Sequence, residues 1–139
     1  YAVMGVAVNC GPALMGDDIE GICQSVMDIP VCVSDASGFN GDADRGWSDA
    51  MISLLRKVPH FSEKKQAGKI NVIGQCILDP ASDESWENVL FIPGGQLMMY
   101  GELSLLSEAE RNVVVHPRGL AVARWLEENT QVPYSMQYE

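Results

Sequence analysis

The chain has 139 residues, 47% of them apolar and 20% charged, which is about one domain of sequence with enough apolar matter for a core. Disordered and fibrous classes are thereby excluded. Nineteen Asp and Glu against nine Lys and Arg leave a formal charge of -10, so the surface repels phosphate backbones and anionic lipid, and nucleic acid is not an expected partner.

No apolar stretch approaches the roughly 20 residues of a membrane helix, and no basic-then-apolar leader opens the sequence. The expectation is a soluble, cytoplasmic protein without a membrane partner. The first residue, Tyr1, leads almost at once into a strand-like run, which reads as a piece of something longer. The four cysteines (Cys10, Cys23, Cys32, Cys76) show neither CxxC nor paired spacing, and by count alone read as reduced, mostly buried thiols.

Ala2 to Val8 is an apolar, partly β-branched run of the kind found in parallel strands covered on both faces. The breaker cluster Asn9-Cys10-Gly11-Pro12 ends it. Asp17 is placed to cap a helix, with Glu20 three residues on as the second half of a capping box. Ile19, Ile22, Cys23 and Val26 follow at i, i+3, i+4, i+7, the spacing of one buried helical face. Ile29 to Val33 predicts a second strand, Ser34 to Arg45 a loop rich in Gly, Asp and Ser, and Gly46 to Val58 a second helix carrying Trp47, Met51, Leu54 and Leu55.

Pro59 to Lys69 is polar and basic and reads as a connector, or as a seam near 59–69 between a first half (1–58) and a second half (70–139) of one α/β region. Lys69 to Gln75 predicts a third strand and Val89 to Ile92 a fourth. Gln96 to Glu108 predicts short, imperfect helical turns, Asn112 to Val115 a fifth strand, Gly119 to Asn129 a helix, and Val132 the start of a last short strand. Strands alternating with helical patterns predict an α/β, Rossmann-like fold with a mainly parallel sheet flanked by helices, whose ligands bind at the carboxyl ends of the strands.

Signatures for GxGxxG, GxxxxGK[ST] and GxSxG chemistry are absent. His60 and His116 read as loop residues. Asp17-Asp18, Asp42/Asp44 and Asp83-Glu84 read as caps, turns and solvated charge. Cys23 and Cys32 fall on a buried face and inside a strand, as core thiols do. Cys10 differs in position, since it follows a buried strand and precedes a helix start, where backbone N–H groups favour negative charge. From the residues alone it stands between a buried loop cysteine and a metal or cluster ligand, because one thiolate cannot hold a cluster that needs about four.

The stretch Asn9-Cys10-Gly11-Pro12-Ala13-Leu14-Met15-Gly16-Asp17-Asp18-Ile19-Glu20 resembles the T-C-x-x-x-[LI]-[IM]-G-D-D-[IL]-x segment of nitrogenase component 1 proteins. Further pieces resemble that family in order: Ile29-Pro30-Val31, Gly38-Phe39-Asn40-Gly41, Gly46-Trp47-Ser48-Asp49-Ala50, Ile70-Asn71-Val72-Ile73-Gly74, Phe91-Ile92-Pro93-Gly94-Gly95, and the tail from Asn112 to Tyr134. The family comprises the nitrogenase molybdenum-iron protein subunits, the scaffold pair that matures the nitrogenase cofactor, and the dark-operative tetrapyrrole reductases.

The resemblance implies an oxidoreductase subunit, working in a larger complex, that takes electrons from an ATP-driven iron protein through an iron-sulfur cluster shared with a homologous subunit. It implies Cys10 as a ligand of that cluster, and hence its metal-binding residue. The likeness covers nearly all of this chain but only the middle of a family member, so ligands of a catalytic cofactor are not assigned and the catalytic residues are unknown. Gly38 stands where some family subunits carry a serine near the cluster, which points away from that subunit type. With one plausible thiolate, the isolated piece is expected to be inactive and to bind no cluster. The alternatives are a cofactor-assembly scaffold of the same superfamily and a Rossmann-like small-molecule-binding domain.

Cys76 to Asn88 does not fit the pattern. A parallel crossover needs a dozen or more residues and usually a helix, yet this stretch carries Pro80, an acidic cluster and no helical repeat. Either a crossover helix is deleted and the pairing of the fourth strand changes, or residues are missing between 79 and 89; the expectation is the second.

Overall fold

The computed structural model describes residues 2–79, 85–95 and 99–138. Its Cα packing divides the chain into two units, Tyr1–Pro59 and His60–Glu139.

The first unit opens with β1 (Met4–Val8), which pairs in parallel with β2 (Val31–Asp35) in the register Met4↔Val31 to Val8↔Asp35. The crossover between them contains two short helices, α1 (Cys10–Met15) and α2 (Ile19–Val26). Asn9 caps α1 by accepting from Gly11 N at 3.2 Å, and Gly16 ends it at φ 70°, a left-handed position where glycine escapes the Cβ penalty. After β2, α3 (Ala43–Leu55) is capped by Asp42, whose carboxylate accepts from Arg45 N at 3.0 Å. Asp42 therefore starts this helix three residues earlier than the apolar spacing from Gly46 predicts.

Two sequence expectations for α2 are overturned. Its cap is Asp18, not Asp17, with the Asp18 carboxylate accepting from Gly21 N at 3.0 Å. Asp17 belongs to the turn leaving α1, since its N–H donates to Pro12 O at 3.2 Å, and the reach from cap to third helical residue begins one position later. Glu20 does not close a capping box; it accepts from Gln24 Nε2 at 3.0 Å and pairs with Lys57 Nζ at 3.2 Å. Nor is the Ile19, Ile22, Cys23, Val26 face buried: Ile22 and Val26 are 59% and 72% exposed, and Cys23 is half-buried. Periodicity specifies an apolar face, but only a packing neighbour buries it.

The second unit is a four-stranded, all-parallel sheet in the order β4-β3-β5-β6, formed by β3 (Gln66–Ile73), β4 (Val89–Phe91), β5 (Ala109–Val114) and β6 (Tyr134–Met136). The predicted Rossmann-like parallel arrangement is present, carried by two sheets. A 3-10 helix at Tyr100–Glu108 falls in the region read as imperfect helical turns, whose residues 96–98 lie outside the described residues, and α4 (Leu120–Thr130) follows a 3-10 turn at Pro117–Gly119.

Val72, Ile73, Leu106, Val113, Val114, Val122 and Leu126 form the core, all at most 1% exposed. One polar pair sits within it: Asn71 and Asn112 are directly opposed on β3 and β5, and Asn71 Nδ2 donates to Asn112 Oδ1 and to Leu106 O, each at 2.8 Å. These bonds offset part of the cost of burying amides.

The fourth strand pairs in parallel with β3, so its direction does not change despite the short connection. Residues 80–84, on which the choice between a deletion and missing residues depends, lie outside the described residues, as does the Asp83-Glu84 pair. No helix among the described residues is long and apolar enough to cross a membrane.

Candidate functional site

In a parallel α/β sheet, side chains near the carboxyl ends of the strands are the ones free to meet a ligand. In the first unit that end is formed by the start of α1 after β1 and by the loop after β2. Cys10 is the first residue of α1 and is exposed. Its Sγ accepts a hydrogen bond from Gly38 N at 3.3 Å, which ties the β2–α3 loop to the cysteine across 28 residues of sequence.

That loop is itself pinned. Asp35 Oδ1 accepts from both Ser37 N (2.8 Å) and Ser37 Oγ, and these two bonds, the hydroxyl's first, hold the Asp35 carboxyl below its ordinary value. Ser37 is buried, Gly38 is exposed, and a Cβ added at Gly38 would meet nothing within 4 Å. Asp35, Ser37, Asn40, Asp42 and Arg45 line a hollow of about 300 Å³ beside it.

Beyond Cys10, the α1–α2 segment is apolar and acidic. Leu14, one helical turn on from Cys10, is 76% exposed and Met15 78%. Asp17, Asp18, Glu20 and Asp28 are also exposed, and the segment from Cys10 to Asp28 contains no Lys or Arg.

In the second unit the chain leaves β3 for β4 on one side and returns to β5 on the other, which makes the carboxyl ends of β3 and β5 a topological switch point. The two loops meet closely there: a Cβ on Gly119 would stand 2.7 Å from Ile73 O, and one on Gly74 3.0 Å from His116 O. Arg118 Nη1 donates to both Asp79 carboxylate oxygens at 2.9 and 3.0 Å, while Asp79 Oδ2 also accepts from Cys76 N at 2.8 Å. The guanidinium first, then the amide, holds the Asp79 carboxyl below its ordinary range.

His116 Nδ1 accepts from Arg118 N at 3.3 Å. His116, read from sequence as a loop residue, is thus part of a charged cluster. The Asp79–Arg118 pair was missed because its members lie 39 residues apart and neither belongs to a motif; the switch-point rule was the available signal. Cys32 is a buried thiol, as its strand position predicts.

Among the described residues no group of three or more His, Cys, Asp and Glu side chains is arranged to hold a metal. A [2Fe–2S] or [4Fe–4S] cluster takes about four thiolates. Cys10 has what a single member of such a set requires: an exposed sulfur in a fixed position with one N–H directed at it. Among the described residues, the donors present can furnish one thiolate of such a set and not the whole of it.

Two parallel sheets with helical crossovers, and chemistry-bearing residues at their carboxyl ends, define an α/β protein of Rossmann-like type. The sequence profile of nitrogenase component 1 type oxidoreductases matches residues 1–137, and the chain belongs to that family. Similar proteins include the nitrogenase iron-molybdenum cofactor biosynthesis protein NifE of Klebsiella pneumoniae, 28% identical over 91% of this chain and 32% of that protein. Its namesake from Methanosarcina barkeri is 28% identical over 95% and 33%.

The solved structure of nitrogenase Cp1 at pH 6.5 superimposes with a TM-score of 0.74 at 21% identity, covering 97% of this chain and 28% of that one. The corresponding structure at pH 5 gives 0.71, covering 30% of that chain. These two likenesses establish the fold. The chain spans about a third of the length of the curated relatives it matches.

Proposed function

We propose that this chain is the cluster-bearing segment of a component 1-type oxidoreductase subunit, in which Cys10 supplies one ligand to an iron-sulfur cluster shared with a homologous subunit. The observation that carries the reading is the exposed Cys10 sulfur held by the Gly38 N–H. Such a cluster supplies one-electron transfer. The chain's own contribution is positional: Asn9 fixes the start of α1, the Asp35–Ser37 turn fixes the loop, and Gly38 directs its amide at the sulfur. A hydrogen bond to a ligating sulfur is one of the means by which a protein tunes a cluster's potential.

The partners in this reading are the homologous subunit and an ATP-driven iron protein, meeting in the cytoplasm. The exposed apolar residues Leu14, Met15, Ile22 and Val26, rimmed by acids, support docking of a protein surface with apolar and basic character.

The test is anaerobic reconstitution with iron and sulfide of the protein together with its homologous subunit, read by bound iron and visible absorbance. Wild type acquires the cluster, Cys10→Ala loses most of the bound iron, and Cys23→Ala retains it. Full iron on Cys10→Ala, with native circular dichroism, overturns the assignment. The isolated chain alone is expected to acquire no stoichiometric cluster, and a brown, stoichiometric product from it would contradict the single-ligand reading.

A second reading, a scaffold on which a metallocofactor is assembled, is favoured by the cofactor-biosynthesis proteins among the relatives. Delivery of a metallocluster precursor to an apo acceptor, without turnover of substrate under reducing conditions, would select it over the electron-transferring subunit.

A further inference from the structure

We draw no further inference here: the strongest candidate, the exposed apolar stripe of Leu14, Met15, Ile22 and Val26 on α1 and α2, belongs to the partner surface already proposed, and nothing else in the structure shows what covers it.

Discussion

The two units differ in how far they bury their apolar residues, although each leaves some exposed, Ile77, Leu78, Met99 and Met136 in the second. In the second, β3, β5 and α4 enclose Val72, Ile73, Val113, Val114, Val122 and Leu126 almost completely, and the four-stranded sheet has its own core. In the first, among the described residues, only Val31, Cys32 and Leu55 are buried hydrophobics, while Met4, Leu14, Met15, Ile22, Val26, Ile29 and Phe39 are exposed. Parallel sheets are found with both faces covered, and two strands alone are marginal. The second unit therefore has a core of its own, whereas the first, which carries Cys10, leaves most of its large apolar side chains uncovered among the described residues.

The contrast breaks most directly in the core. Leu126, 1% exposed on α4, should cost about 2–5 kcal/mol when truncated to alanine, the sum of lost transfer energy and the cavity left behind. Urea unfolding gives the number. A loss below about 1 kcal/mol would mean that the second unit is packed far more loosely than these burials imply.

Acid offers a further test of the second unit, as Asp35 does in the first. Glu108, at the carboxyl end of the 3-10 helix, accepts from Ser62 Oγ and Gln66 Nε2, each at 2.6 Å, and these bonds hold its carboxyl below the ordinary value of 4.5. A carboxyl with a depressed folded-state value contributes stability that is fully present above its unfolded value and is lost as pH falls toward the folded one. Stability of the second unit should accordingly decline as pH drops below about 4.5, with Asp79 adding to the slope through its pairing with Arg118. Glu108→Gln should flatten that decline. Identical pH profiles of the melting temperature for the two proteins would remove Glu108 from the account.

The helix start in the first unit sharpens the comparison at a smaller scale. Asp18→Ala removes the side chain that accepts from Gly21 N and should cost about 0.5–2 kcal/mol, whereas Asp17→Ala should change little. Equal losses from both, measured under the same urea conditions, would return the cap to a shared role.

What could be read from the sequence follows from the range of each interaction. Both β1 and β5 were legible within a few residues because runs such as Val113-Val114-Val115 and Val6-Ala7-Val8 need no distant information. The parallel architecture followed from the alternation of strands with helices. The cap failed by one position because Asp17 and Asp18 are chemically identical, and only the turn bond from Asp17 N to Pro12 O separates them. The start of α3 was missed because apolar spacing begins at Trp47 while the helix is set by the Asp42 cap. At the site, the place of Cys10 after β1 was legible, but the Gly38 amide on its sulfur was not, since it joins residues 28 apart. The α2 face was misjudged for a different reason: an amphipathic pattern states which side is apolar and is silent on whether the chain supplies its cover.

That last point yields the smallest expected effect and the most direct check on the first unit. Ile22 lies on α2 at 59% exposure, so truncation to alanine removes little buried surface and opens no cavity. Alanine is also the better helix former by a few tenths of a kcal/mol, because it lacks the χ1 restriction of a β-branched side chain. The two terms nearly cancel, and the stability of Ile22→Ala should lie within about 0.5 kcal/mol of wild type, with either sign. The same substitution in the complex with the proposed homologous subunit or iron protein should weaken association, since there the side chain would be covered. A loss above about 1 kcal/mol in the chain alone would show that Ile22 is already packed, and the apolar face of α2 would then be core instead of contact surface.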